Sequence, residues 1–150
     1  MSGSHRTIDL ARAAAGNGYD LAPGARNAIR TCLRVSPEER VAIITIDNPP
    51  VNALPVAGWF ELADTLRAMG RDPEVHVVIL QSEGKGSQAG VDIKELAADP
   101  SNASLIGVNR GCYEAFAAVY ECEVPVVAAV NGFCLGGGIG LVGNADAIVA

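Results

Sequence analysis

Residues 131–140 read Asn131-Gly132-Phe133-Cys134-Leu135-Gly136-Gly137-Gly138-Ile139-Gly140, and they decide how the second half of this chain folds. They follow the apolar run of residues 125–130, which is typical of a buried strand, and lead into residues 137–142, which predict a helix start. Glycine adopts positive φ and lets a ligand approach the backbone closely, which explains the residue type in the triplet. The stretch therefore predicts a strand, a glycine-rich turn and a helix, in that order.

An earlier stretch repeats this design and reads Glu83-Gly84-Lys85-Gly86-Ser87-Gln88-Ala89-Gly90-Val91-Asp92. In both stretches the glycine-containing turn precedes a predicted helix, so each presents backbone N–H groups at a helix N-terminus. These opening amides have no partner within the helix, and the helix dipole favours negative charge beside them. If one amide from each turn converges on the same point, the pair forms an oxyanion hole for a carbonyl that gains negative charge.

The rest of the chain alternates predicted strands with predicted helices. Apolar, β-branched runs predict strands at residues 29–35, 41–46, 75–80, 125–130 and 147–150. Apolar residues at helical spacing and glycine-rich helix starts predict helices at residues 59–69, 92–98, 105–119 and 137–142. Strands that alternate with helices in this way indicate an α/β fold.

Local patterns add detail to this layout. Residues 29–35 and 41–46 flank a polar, turn-compatible stretch, so together they predict a hairpin. Gly70 follows the first helix where a C-terminal cap belongs. The nearly continuous apolar run 75–80 predicts a strand covered on both faces. Turns without regular structure are expected at residues 82–90 and 131–136.

Composition excludes several classes of partner. The 150-residue chain is 49% hydrophobic with a formal net charge of -6, and its 11 basic residues are scattered, unlike the clustered cations that bind nucleic acid. Residues 1–16 form neither a signal peptide nor a membrane span, so we expect a cytoplasmic protein without a membrane partner. Cys32, Cys112, Cys122 and Cys134 lack zinc-type spacing, which predicts free buried thiols and no metal site.

The glycine-rich stretches resemble the signatures of the crotonase family, which contains the enoyl-CoA hydratases and isomerases. Residues 89–95, Ala89-Gly90-Val91-Asp92-Ile93-Lys94-Glu95, resemble its AG-x-D-I-K-E pattern. Residues 128–132, followed by the triplet at 136–138, resemble its second signature. Residues 48–54, Asn48-Pro49-Pro50-Val51-Asn52-Ala53-Leu54, resemble the early segment whose backbone lies along the coenzyme A moiety. The resemblance runs through residues 28–150 in order.

This resemblance implies a crotonase-like spiral of repeated strand-strand-helix turns that binds an acyl-CoA thioester. It implies that the backbone amides of Ala89 and Gly137 are the two oxyanion donors. It also implies substrate-binding roles for Ala53, Leu54, Gly90, Val91, Asp92, Lys94, Gly136, Gly138 and Gly140. Coenzyme A is part of the substrate, so no separate cofactor is expected, and members of the family form trimers or hexamers.

Two positions depart from the family pattern. Gly140 stands where the hydratases have a glutamate, and a residue without a side chain cannot hold a proton for general acid-base catalysis. Ser87-Gln88 stands where the family has Phe followed by a small or polar residue, which predicts a looser first loop. The second family carboxylate and the C-terminal helices would lie after residue 150. We therefore interpret the chain as truncated, with residues 27–150 as the N-terminal part of the core domain and residues 1–26 as an extension of unknown role.

One subgroup of the family accommodates Gly140. Residues 109–113, 119–122 and 132–144 closely resemble the actinobacterial crotonase-like hydrolases of steroid ring degradation. The resemblance implies that water opens a ring of a CoA-linked ketone. Water attack on a ring ketone β to the thioester, followed by carbon-carbon cleavage, leaves an enolate in the oxyanion hole and needs no glutamate at position 140. The sequence therefore favours hydrolytic ring opening of a polycyclic, steroid-derived CoA thioester.

Three alternatives stay open at this point. An enoyl-CoA hydratase or isomerase would need a carboxylate elsewhere to replace the one missing at Gly140. An inactive fragment, or a non-enzymatic protein that binds CoA thioesters, would bind the ligand without turnover. A dinucleotide-binding loop is disfavoured because residues 131–135 separate the glycines from their strand.

Several ionisable and aromatic side chains have both a structural and a functional interpretation. Asp92 is predicted to cap a helix rather than act as an acid, and His76 to be a packed or edge residue of a strand. Lys85 and Lys94 are candidates to meet the CoA phosphates, although a solvated position is at least as well supported. The aromatic residues at helical spacing, predicted as core or pocket wall, are Tyr113, Phe116 and Tyr120.

Overall fold

A computed structural model of the chain describes the backbone of residues 5–9 and the whole of residues 40–150. The strands in these parts of the chain are β1 His5–Asp9, β2 Arg40–Ile46, β3 Val77–Ser82, β4 Gly86–Gln88, β5 Val126–Ala129, β6 Phe133–Cys134 and β7 Ala147–Val149. The helices are α1 Val56–Gly70, α2 Ile93–Ala98, α3 Asn102–Tyr120 and α4 Gly137–Val142. The order of elements confirms the predicted α/β organisation.

The strands form two sheets. The larger sheet has the order β1-β2-β3-β5-β7, in which β1 is antiparallel to β2 and the other neighbours are parallel. The smaller sheet contains only β4 and β6, which pair in parallel. A strand of the large sheet, a strand of the small sheet and then helix follow one another twice, once from β3 and once from β5. This repetition is the strand-strand-helix spiral that the resemblance implies.

The central strands are buried because both of their faces are covered. Each residue of β3 is buried, and the same holds for the four residues of β5. Strands of this kind contain near-continuous runs of aliphatic residues instead of alternating apolar and polar ones. The apolar runs at residues 75–80 and 125–130 therefore predict these strands correctly.

Helices α1 and α3 pack together against one face of the large sheet and form the main core with it. Trp59 and Leu66 on α1 have no exposed surface, and Val119 on α3 is 1% exposed. Alternate strand residues such as Ile44 and Leu80 join the same cluster, as expected when successive side chains point to opposite faces of a sheet. The core therefore fixes α1 and α3 relative to the strand ends that carry the glycine-rich loops.

The bounds of some elements differ from those predicted. Helix α1 begins at Val56, before the predicted start at Trp59, and it ends at Gly70, with Arg71 as its C-terminal cap residue. The prediction that Gly70 is the cap is therefore wrong. A Cβ atom at Gly70 would lie 2.8 Å from the Sγ atom of Cys122, so close packing of the chain after α3 explains the glycine.

The turns predicted at residues 82–90 and 131–136 each contain a short strand, β4 and β6 respectively. These strands pair only with each other within the described residues. The residues around β4 and β6 in the sequence do not predict this pairing, because the two strands are far apart along the chain. The prediction of turns without regular structure is therefore wrong at these two strands.

The N-terminal part of the chain is only partly described. The predicted strand at residues 29–35, and with it the hairpin, lies outside the described residues. Strand β1 pairs with β2 at the edge of the large sheet, so residues 5–9 join the sheet although an extension outside the core was predicted for residues 1–26. The role of that segment and the boundary at residue 27 stay predictions.

The three aromatic residues of α3 do not share one environment. Tyr113 is 67% exposed and Tyr120 is 77% exposed, so the prediction of a core or wall position is wrong for both in this chain. Phe116 instead packs edge-on against Trp59, with ring centroids 5.8 Å apart. The buried stripe of α3 follows helical spacing through Val108, Gly111, Ala115, Ala118 and Val119.

Replacing Leu66 by alanine tests the described core. Because Leu66 is fully buried, Leu66→Ala removes buried methyl groups and leaves a cavity, and we expect the free energy of unfolding to fall by about 2–5 kcal/mol. Ile106→Ala is the matched control, since the Ile106 side chain is 66% exposed and its loss should cost less than about 0.5 kcal/mol. Urea unfolding measures both values. Equal losses would contradict the described packing.

Candidate active site

The two glycine-rich loops lie side by side in the structure. Pairing of β4 with β6 sets Gly86 beside Phe133 and Gln88 beside Cys134. Beyond the strands, the N–H of Leu135 donates to the carbonyl of Gln88 at 2.8 Å. The loops therefore form one unit, although they are distant in sequence.

The amides of Ala89 and Gly137 are two of the unpaired donors of this unit. Ala89 follows β4 directly, Gly137 is the first residue of α4, and both residues are half-buried. Neither N–H group donates to an acceptor within residues 40–150. Residue 136, which precedes α4, supplies no side-chain cap for it. An oxygen atom that gains negative charge is the ligand that such unpaired donors at a helix start favour.

Glycine is required where the two loops touch. Gly90 has φ +93°, and a Cβ atom there would lie 3.0 Å from the backbone nitrogen of Gly137. Gly136 has φ +52° and ψ -124°, which is a conformation that residues with a Cβ atom rarely adopt. Any side chain at Gly90 would thus be strained and would push the two predicted donors apart.

The first loop is held by buried polar side chains, so the prediction of a looser loop is wrong. Gln88 is 1% exposed, and its Oε1 accepts a hydrogen bond from the N–H of Gly90. Ser87 is 4% exposed, and its Oγ accepts from the N–H of Asn131 at 2.7 Å. The family's aromatic anchor is replaced here by hydrogen bonds that tie the first loop to itself and to the second.

A Cβ atom at Gly138 would lie 2.8 Å from the Gln88 carbonyl oxygen, so the buried glycine lets α4 approach this loop.

The early segment at residues 48–54 lies against the first loop, a contact that the sequence analysis did not predict. The N–H of Leu54 donates to the carbonyl of Gly90 at 2.9 Å, and the N–H of Asp92 donates to the carbonyl of Leu54 at 2.8 Å. Leu54 thereby forms a parallel bridge with Val91. The half-buried Ala53 precedes Leu54 in this segment. The structure thus brings four predicted binding residues, Leu54, Gly90, Val91 and Asp92, into one backbone ladder.

Asn52 is a buried residue of the site that sequence analysis missed. It adopts φ +57°, and its Nδ2 donates to the carbonyls of Glu83 at 2.8 Å and Gly86 at 2.9 Å. Its Oδ1 accepts from the N–H of Asn48 at 2.7 Å. Asn tolerates this left-handed conformation better than most residues, so Asn after the Pro-Pro turn was an available signal. Asn52 therefore joins the early segment to the start of the first loop.

The ionisable candidates have structural surroundings. Asp92 caps α2, since its Oδ1 accepts from the N–H groups of Lys94 at 2.9 Å and Glu95 at 3.4 Å, as predicted. His76 is exposed and precedes β3, so the prediction of a packed or edge residue within a strand is wrong. Its Nδ1 accepts from the N–H of Arg40 at 3.2 Å. The side chains of Lys85 and Lys94 are exposed to solvent. None of these side chains is held in the contact between the two loops.

Glu95 has a role that the sequence did not reveal. Its Oε2 accepts a hydrogen bond of 2.7 Å from the N–H of Val56, the first residue of α1. Pro55, which precedes α1, provides no side-chain cap. A carboxylate from α2 thus satisfies an orphan amide of α1 and complements its dipole. Helix α1 is thereby anchored beside the first loop.

The first turn of α4 rests on two aromatic rings. A Cβ atom at Gly137 would lie 3.0 Å from Cη2 of Trp59, and a Cβ atom at Gly140 would meet the ring of Phe116. Gly140 is half-buried. The position that carries a glutamate in hydratases therefore faces an apolar ring in this chain.

Metal ligands and reactive thiols do not form a site in the described chain. Within residues 40–150, no group of three or more His, Cys, Asp and Glu side chains is placed to hold a metal ion. Cys112, Cys122 and Cys134 are free and half-buried, while Cys32 lies outside the described residues. Burial raises the pKa of the Cys112 and Cys134 thiols, which keeps them protonated at neutral pH.

No helix among the described residues is long and apolar enough to cross a bilayer.

Comparisons with known proteins agree on one family. A family model described as enoyl-CoA hydratase/isomerase matches residues 36–150. A protein of Rhodococcus jostii named (7aS)-7a-methyl-1,5-dioxo-2,3,5,6,7,7a-hexahydro-1H-indene-carboxyl-CoA hydrolase is 64% identical over 110 residues, which cover 73% of this chain and 43% of that protein. The protein of the same name from Mycobacterium tuberculosis is 57% identical over 115 residues, covering 77% of this chain and 47% of its own length. The chain thus spans less than half of each relative.

A solved structure supports the same assignment. The enoyl-CoA hydratase of Bacillus anthracis superimposes with a TM-score of 0.67 at 29% identity, covering 72% of this chain and 42% of the hydratase. The likeness covers the spiral of strands and helices described above. It confirms the predicted fold class.

The Glu95 cap gives a matched pair of variants. Glu95→Ala removes the acceptor of the Val56 N–H, and we expect it to lower the free energy of unfolding by about 0.5–2 kcal/mol. Glu95→Gln keeps an acceptor oxygen and loses only the charge, so its cost should stay at about 0.3–1 kcal/mol. Chemical denaturation measures both variants. If Glu95→Gln is as destabilising as Glu95→Ala, the hydrogen bond is not the stabilising contact.

Proposed function

The chain belongs to the enoyl-CoA hydratase/isomerase family, and from this membership we propose that its protein hydrolytically opens a ring of a polycyclic ketone CoA thioester. In this proposal the amides of Ala89 and Gly137 hold the thioester oxygen as it gains negative charge. The substrate is a steroid-derived acyl-CoA, and coenzyme A enters as part of it, so no separate cofactor takes part.

The observation that carries the proposal is the pair of unpaired amides in contacting loops. Ala89 and Gly137 are half-buried, and neither N–H has an acceptor within residues 40–150. Preorganised donors stabilise a developing oxyanion without any reorganisation at the moment of reaction. Removing one such donor from an enzyme typically costs about 10²–10³ in kcat. A pair of them therefore provides a large share of the catalysis that enolate formation needs.

Gly140 and two relatives named as hydrolases favour ring opening over hydration. Adding water to an enoyl double bond requires groups that move a proton beside the substrate, and position 140 offers none. The two hydrolases that are 64% and 57% identical to this chain are named for a bicyclic dioxo CoA thioester. In the proposed reaction of such a diketone, the bond between a ring carbonyl carbon and the carbon α to the thioester breaks and yields an enolate.

The reaction proceeds by addition and then cleavage. Water loses a proton and adds through its oxygen to the ring ketone carbon, forming a tetrahedral oxyanion. That intermediate collapses to a carboxyl group as the bond to the carbon α to the thioester breaks, and the bonding electrons pass into the thioester. The amides of Ala89 and Gly137 hold the resulting enolate oxygen. Protonation of the α carbon completes the reaction, which consumes one water molecule and opens the ring.

The remaining predicted residues position the substrate in this proposal. The ladder of Leu54, with Ala53 before it, against Gly90 and Val91 lies along the coenzyme A moiety. Asp92 holds the start of α2, and Lys94 is available to the CoA phosphates. In the second loop Gly136 and Gly140 provide close backbone approach to the acyl group, and the buried Gly138 serves the site indirectly by letting α4 approach the first loop. We further propose a cytoplasmic protein that assembles as a trimer or hexamer.

A substrate comparison tests the proposed reaction. The full-length protein is incubated with a dioxo-hexahydroindene-carboxyl-CoA and, separately, with crotonyl-CoA, and products are identified by mass spectrometry. We expect the bicyclic thioester to gain one water with loss of one of its two ring ketones, and crotonyl-CoA to be hydrated far more slowly. Fast hydration of crotonyl-CoA with an intact bicyclic substrate would identify a hydratase instead. Binding of both thioesters without turnover would support a CoA-thioester binder.

Ala89→Pro tests the first donor directly. Proline removes the N–H of residue 89, and Gln88 before it is already extended in β4, as the residue before a proline must be. Because the deleted N–H has no partner in the fold, we expect kcat to fall about 10²–10³-fold with little loss of stability. Ala89→Ser, which keeps the N–H, is the control and should retain most activity. Equal kcat values for the two variants would remove Ala89 from the proposed hole.

A further inference from the structure

Phe116 occupies the space into which a side chain at position 140 would extend. An ideal Cβ atom built on Gly140 lies 2.7 Å from Cζ, 2.8 Å from Cε2 and 3.3 Å from Cε1 of the Phe116 ring. Carbon atoms in contact are normally about 3.5–4.0 Å apart. The ring therefore excludes even the first carbon of any residue larger than glycine, unless the ring moves.

The Phe116 ring is held in this position by Trp59. The two rings meet edge to face, at an interplanar angle of 90° and a centroid distance of 5.8 Å. Trp59 itself has no exposed surface, and its Cη2 and Cζ2 atoms lie 3.0 Å from the Cβ position of Gly137. Aromatic pairs of this geometry add stability beyond their buried area. Moving Phe116 away from Gly140 would therefore disturb a ring that also supports Gly137.

This aromatic pair lies close to the proposed oxyanion donor. Gly137 and Gly140 are three residues apart on α4, so they share one face of the helix and are separated by about 4.5 Å along its axis. Phe116 is only partly buried, so part of this residue is open to contact with a ligand. An apolar ring thus stands next to the donor, where a hydratase would hold a carboxylate.

We propose that Phe116 is a specificity-determining residue: its ring keeps position 140 empty of any side chain and gives the acyl group an aromatic wall. A flat apolar ring favours the surface of a polycyclic acyl group, and it cannot transfer a proton to a short enoyl chain. This inference rests on the proposed function and assigns the acyl selectivity of the same site to one side chain.

The steric part of the inference is tested by a double-mutant cycle in the full-length protein. Gly140→Glu alone should lower Tm by about 5 °C, because a side chain forced into an occupied position overpacks the core. In the Phe116→Ala background, which has its own lower Tm, adding Gly140→Glu should lower Tm no further. Tyr113→Ala is the matched control, because this exposed aromatic residue of α3 does not meet Gly140. In that background Gly140→Glu should keep its full effect.

The selectivity part is tested by kinetics on the same proteins. The readout is the ratio of kcat/KM for the bicyclic diketone thioester to kcat/KM for crotonyl-CoA. We expect Phe116→Ala to lower this ratio by about tenfold or more, the scale on which pocket contacts discriminate substrates. Phe116→Leu, which keeps an apolar side chain against Trp59, should lower it less. Affinity for free coenzyme A should be unchanged, because the ring is proposed to contact the acyl group.

The outcomes separate this inference from the proposed function. If the wild-type protein opens the ring, but Gly140→Glu costs the same in every background or the ratio is unchanged in Phe116→Ala, the inference is overturned and the proposed function stands. If the wild-type protein opens no ring, the proposed function fails and the selectivity role of Phe116 fails with it. In that case the double-mutant cycle, measured by Tm, still tests whether the Phe116 ring blocks a side chain at position 140.

Discussion

The contact between β4 and β6 is the interaction on which the candidate site depends. The two strands contain three and two residues, and a backbone hydrogen bond contributes only about 0.5–1.5 kcal/mol net, so this pairing is weak on its own. A buried side chain reinforces it, because the Oγ of Ser87 accepts from the N–H of Asn131, while Gln88 stiffens the first loop by accepting from the N–H of Gly90. Since Ala89 follows β4 directly and Gly137 opens α4 shortly after β6, the pairing determines where both amides lie.

The residues that hold the two loops in place are linked by a series of contacts through α2, α1 and α4. Glu95 on α2 caps α1 at Val56, α1 carries Trp59, and Trp59 packs beneath Gly137 at the start of α4. The first loop is thus connected to the second on two sides, through the paired strands and through the helix core. A change in the packing of α1 would be transmitted to α4, because cores are packed too densely to absorb displacements.

The sequence predicts those features that depend on neighbouring residues or on a periodic pattern. The apolar run at residues 75–80, the cap at Asp92 and the helix start at Gly137 are each specified by neighbouring residues, and the structure contains all three. What it missed depends on distant partners. The pairing of β4 with β6, the hydrogen bonds of Gln88 and the cap from Glu95 join segments that are far apart in the chain. The looser loop predicted at Ser87-Gln88 was wrong because the absent aromatic anchor is replaced by polar contacts, which no spacing pattern reveals.

The proposed donors are main-chain amides, whose charge does not change with pH. A peptide N–H does not titrate in the range where proteins are folded, so the proposed binding of an oxyanion by these loops does not depend on the protonation of its donors. In the proposed reaction, a rise or fall of activity with pH therefore reports the groups that handle water and the α carbon, or the carboxylates of Asp92 and Glu95 that cap the helices beside the first loop. In this proposal the partial charges that the two loops present to the oxyanion do not change with pH. The groups that gain or lose protons during the reaction are other than these amides.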